Sequence, residues 1–133
     1  LASSLGALAK STAVHVAFAF VAMGGWTLYA NHAHGLSAAW LPALVQGAIS
    51  GIITLVLKRA LEGLAGRFGG PSGYLVPPLI TATVILALLL GVHRLIGTPE
   101  VWRTIAVPWS VSTVYAFVYS AALARGPARR ASS

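Results

Sequence analysis

The chain has no cysteine, which excludes disulfides, thiolate metal sites and a cysteine nucleophile. Acid is almost as scarce. Glu62 and Glu100 are the only carboxylate side chains among 133 residues, and no aspartate is present. A paired-carboxylate arrangement is therefore not available at short spacing. A proton-coupled exporter, which places a carboxylate at mid-membrane depth, has no candidate either. Glycine-rich phosphate loops and nucleophile elbows are also missing. Charged residues make up 8% of the chain, against roughly 25% in a soluble domain.

What is present is hydrophobic, at 57% of the residues, and it comes in long blocks instead of alternating with charge. One compact membrane domain is the expectation, all-α and built from four spans at about 12–30, 38–59, 76–93 and 104–124. A span of about 19 residues covers roughly 29 Å, close to a hydrocarbon core of about 30 Å. The run over 11–31 is too long for a cleaved signal peptide and is followed by Asn and His, so it reads as an uncleaved first span. Connections such as Asn31–Gly35 are short, which predicts an up-down-up-down antiparallel four-helix bundle. Ser37 and Thr98 are the expected N-caps of spans two and four, with Pro99 and Glu100 completing the second start. Residues 126–133 read as a mobile basic tail.

The net charge of +7 does not point to nucleic acid, because the basic residues sit at span ends and form no continuous stripe. Lys10, Lys58, Arg59, Arg67, Arg125, Arg129 and Arg130 fall on one side, and Arg94 and Arg103 on the other. The positive-inside rule then places both termini in the cytoplasm. Trp26, Trp40, Trp102 and Trp109 all fall on the far side, as an interfacial aromatic belt would.

Residues 37–62 carry the clearest pattern. Ala39, Ala43, Gly47 and Gly51 recur every four residues, so they line one helical stripe, with Gln46, Ser50 and Thr54 beside them. Small residues let a second backbone approach, and polar ones bond across helices at about 0.6 kcal/mol each. Span three has a second small stripe, Thr83, Ala87 and Gly91, and span four a third, Ser112, Ala116, Ser120 and Ala124, beside Tyr115 and Tyr119. The helix-packing or partner interface is thus expected at Ala43, Gly47, Gly51, Gln46, Ser50, Thr54, Ser112, Ala116 and Ser120.

Two other constellations need weighing. His32, His34, His93 and Glu100 gather on the far side and match the ligand types of a zinc site. Their spacing is loose, so a polar rim against headgroups and water is the expectation, with no metal and no cofactor beyond bound lipids. His15 is too far in depth from His93 for bis-histidine haem ligation and is read as bonded to a neighbouring helix.

The run of spans, with Gly47-Ala48-Ile49-Ser50-Gly51, Gly97-Thr98-Pro99-Glu100 and Val111-Ser112-Thr113-Val114-Tyr115 as its distinctive segments, resembles small uncharacterised four-span inner-membrane proteins of bacteria. That resemblance implies a bacterial cytoplasmic membrane and no activity. Small multidrug exporters share the size and layout, but their membrane carboxylate has no counterpart here. The expectation is a non-catalytic accessory, assembly or stabilising subunit of a larger membrane complex, such as a respiratory or photosynthetic one. A small homo-oligomeric transporter or flippase for a lipid-linked or hydrophobic molecule is the alternative.

Overall fold

A computed structural model describes residues 2–132, with every side chain between 10 and 126. It is all-α: α1 spans Ala2–Ala30, α2 Leu36–Ala65, α3 Ser72–Leu95 and α4 Val101–Ser132, with a 3-10 turn at His32–His34 between the first two. All four helices are long and apolar enough to cross a membrane, with mean hydropathy from 1.3 over Val101–Gly126 to 2.4 over Ser72–Leu95. α4 takes in most of the segment expected as a tail; Ser133 and the side chains of 127–132 lie outside the described residues.

Consecutive helices run antiparallel. α2 and α4 touch each other and both remaining helices, whereas α1 and α3 do not meet among the described residues. The cross-section is therefore a rhombus with α2 and α4 on its short diagonal. The hydrophobic core lies among α2, α3 and α4, where Leu57, Leu61, Ile85, Leu89, Ile105 and Ala116 form one buried cluster. Leu61, which lies beyond the apolar stretch of the second span, also belongs to this core.

α1 contributes nothing to that cluster and is held in a different way. A Cβ on Gly24 would stand 3.1 Å from the Ala43 carbonyl, and one on Gly47 3.0 Å from that of Phe20. A Cβ on Gly51 would stand 3.2 Å from the Val16 side chain. The small stripe of α2 thus lets α1 come within backbone contact, where dispersion is gained over a long seam. The outer faces carry Phe18, Val21, Ile52, Val84, Val114 and Val118 exposed, a surface suited to hydrocarbon.

Two connections depend on glycine. Gly35, at φ 88, separates the 3-10 turn from α2, whose first residue is Leu36; Ser37 falls inside the helix and makes no cap bond. Gly97, at φ 75, closes α3 in a Schellman arrangement, with the Thr98 N–H donating to the His93 carbonyl at 2.9 Å. That turn folds Thr98 back over the end of α3. Trp109 also departs from expectation. It packs against the core, and its indole N–H donates to the Ala82 carbonyl at 2.9 Å, in the middle of α3 and away from any helix end.

Candidate functional site

The end of the bundle that carries the α1–α2 and α3–α4 connections is bound together by two buried polar networks. Gln46 on α2 and His93 on α3 are both 0% exposed. His93 Nε2 lies 2.8 Å from Gln46 Oε1, and His93 Nδ1 lies 2.7 Å from the hydroxyl of Thr98. The Gln46 amide then donates to Ser50 Oγ at 2.9 Å. With that amide orientation, His93 donates from Nε2 and accepts at Nδ1 from Thr98, which is a neutral imidazole with both nitrogens engaged. The Thr98 hydroxyl, expected to cap α4, faces His93 instead.

The α4 start is served from across the bundle. Asn31, just after α1 and fully buried, accepts from the Glu100 N–H at 2.9 Å. Its amide group donates to the Thr27 carbonyl at 2.9 Å and to the Thr104 hydroxyl at 2.8 Å. One side chain thereby satisfies an orphan donor at the α4 terminus and pins it to α1. Beside it the Trp26 indole N–H donates to the Arg103 carbonyl at 3.0 Å.

The histidines do not gather. His34 Nε2 is 3.3 Å from Glu100 Oε1 on the exposed rim. His32 donates from its ring to the Tyr29 carbonyl and stacks on the Tyr29 ring at 5.3 Å. His93 is buried in its own network. Among the described residues, no three of His, Asp or Glu converge on a possible metal position.

The opposite end, which holds Lys58, Arg59, Arg67 and Arg125, is built loosely. A half-open groove of about 1220 Å³ runs between α1, α2 and α4. His15, Ala19 and Met23 line it from α1, Ser50, Thr54, Lys58 and Arg59 from α2, and Ser112 and Tyr115 from α4. His15 is exposed there and makes no hydrogen bond among the described residues, contrary to the expected bond to a neighbouring helix. At the edge the Tyr119 hydroxyl donates to Glu62 Oε2 at 2.7 Å, and the Tyr115 and Tyr119 rings stack at 5.6 Å.

The residues expected at an interface are divided among several roles. Ala43, Gly47 and Gly51 meet α1. Gln46 and Ser50 form the polar seam, and Thr54 donates to the Ser50 carbonyl at 2.8 Å while facing the groove. Ser112 is buried and donates to the Trp109 carbonyl at 3.0 Å, Ala116 enters the core, and the buried Ser120 hydroxyl has no partner among the described residues. Thr83, Ala87 and Gly91 face outward, where a Cβ on Gly91 would meet nothing within 4 Å. Thr27 and Thr104 are working polar residues that helical periodicity alone does not single out; each lies within one turn of a span end. Among the described residues, the hydroxyl that bonds to an imidazole is that of Thr98, buried together with His93. The chain matches no family model, no curated protein and no solved structure.

Proposed function

We propose that the chain is a four-span integral protein of the bacterial cytoplasmic membrane, with both termini cytoplasmic. Its role is that of a non-catalytic accessory, assembly or stabilising subunit of a larger membrane complex. The placement is supported by the basic residues of one bundle end and by Trp26, Trp40 and Trp102 toward the other. The observation that carries the non-catalytic role is His93. It is the one fully buried imidazole among the described residues, and both its nitrogens are engaged in holding α2, α3 and the α4 start together. The outward Thr83–Ala87–Gly91 stripe of α3 supports a subunit that meets another helix closely. A respiratory or photosynthetic assembly is compatible with this role, and bound lipids are expected.

Extraction of native membranes in mild detergent, followed by affinity purification, tests the proposal. Unrelated chains should accompany the protein at fixed stoichiometry, and Gly91→Leu should release them without unfolding the bundle. Recovery of this chain alone overturns the accessory role. A homo-oligomeric transporter or flippase for a lipid-linked or hydrophobic molecule is the second reading, favoured by the groove that reaches Ser50 from the basic end. It predicts self-association and movement of a labelled lipid across vesicles containing only this protein.

A further inference from the structure

We propose that the basic-end groove is a seat for one anionic phospholipid, its phosphate at the mouth and an acyl chain lying between α1 and α4. The inference rests on the membrane placement above and not on the accessory role. At about 1220 Å³ the groove exceeds the roughly 300–1,000 Å³ of small-molecule pockets, and it is open along its side as a lipid requires. From Lys58 to Ser50 it follows eight residues of α2, about 12 Å, which is close to the depth of one leaflet of a core about 30 Å thick.

The lining is graded along that depth. Lys58 and Arg59 stand toward the mouth, while His15, Ala19 and Met23 lie deeper, as the packing of Gly51 on Val16 and of Gly47 on Phe20 sets the register of α1 against α2. No acid lies among the lining residues; nearby Glu62 is held by the Tyr119 hydroxyl. A partner helix seated here would need its own acid to answer two permanent cations. A zwitterionic lipid brings a cation along with its phosphate. An anionic phospholipid matches both halves of the groove with no further group. Toward the other end α1 is tied to α4 by the bonds of Trp26 to the Arg103 carbonyl and of Asn31 to Thr104, so the groove between them ends as a seat and does not continue as a passage.

The purified full chain, stripped of lipid by detergent exchange, is titrated with phosphatidylglycerol and with phosphatidylcholine and read by native mass spectrometry. One phosphatidylglycerol per chain should be retained at least about tenfold more tightly than phosphatidylcholine. Lys58→Gln with Arg59→Gln should weaken phosphatidylglycerol binding about 30-fold and leave phosphatidylcholine unchanged. Arg67→Gln with Arg125→Gln removes the same charge from the same end and should change it by less than about threefold, because those charges act through screened distance. Ala19→Trp, which fills the groove, should lower retention of both lipids, and it remains informative if the double neutralisation does not fold. Equal retention of the two lipids, or an equal loss in the Arg67/Arg125 control, overturns the proposal. So does cross-linking of His15→Cys between two copies with exclusion of lipid, since a second copy would then be the occupant.

Discussion

The two ends of this bundle solve the same packing problem differently. At the histidine end, Asn31, Gln46, His93, Thr98 and Thr104 are buried, and hydrogen bonds in two networks tie the end of α1 to α4 and α2 to α3. At the basic end the polar contacts sit at the surface, represented by Tyr119 with Glu62, and α1 leaves a groove against α4. A buried polar group without a partner costs about 1–3 kcal/mol, so the networked end has few alternative arrangements. A surface contact screened by headgroups and water imposes no such penalty. Rigidity is thus concentrated where the networks are, and adaptability where the groove opens.

That contrast can be broken most severely at the seam both ends share. Gly47→Leu with Gly51→Leu would drive side chains into the Phe20 carbonyl and Val16, at sites where even a Cβ is crowded. A loss of about 3 kcal/mol or more is expected, read as a collapse of the thermal midpoint in detergent and release of α1 to proteolysis. Asn31→Leu comes next. It strands the Glu100 N–H and the Thr104 hydroxyl, and about 2–3 kcal/mol should be lost in a denaturant titration.

His93→Leu should cost about 1–2 kcal/mol in the same titration, because Gln46 and Thr98 each lose a partner. Replacing Gln46 as well should cost less than the two single changes combined, since the pair acts as one unit. The smallest effect is expected from Tyr119→Phe, at about 0.5 kcal/mol or less, because its bond to Glu62 is exposed. If Tyr119→Phe proved as costly as Asn31→Leu, the two ends would be equally rigid and the contrast would be lost. Amide exchange offers a finer measure. Protection around Gln46 and His93 should exceed that around Thr12 and His15.

Legibility in the sequence followed the same division. The helices were readable because apolar blocks of sufficient length, and the Gly-containing breaks between them, are local features. The observed helices overrun the apolar spans; α2 continues past Lys58-Arg59 to Ala65, because charge ends a hydrophobic block without ending the helix. The Ala43–Gly47–Gly51 row announced a close approach, yet its partner could have been any helix or another chain. Gln46 lies ten residues in from the start of α2, and His93 two residues from the end of α3, so counting from helix ends placed them at different depths. Their pairing emerges only from the offset between the two helices.

Composition and periodicity alone therefore determined an all-α chain with four helices able to cross a membrane. Backbone hydrogen bonds close within each such helix, and its apolar length is written in consecutive residues. Tertiary structure decided that Asn31 would serve the start of α4, that Thr98 would turn to His93, and that α1 would stand apart from α3. Those outcomes depend on helix offset and on hydrogen bonds that form only within about 3 Å and in the right direction. Neither quantity has a period that a sequence can display.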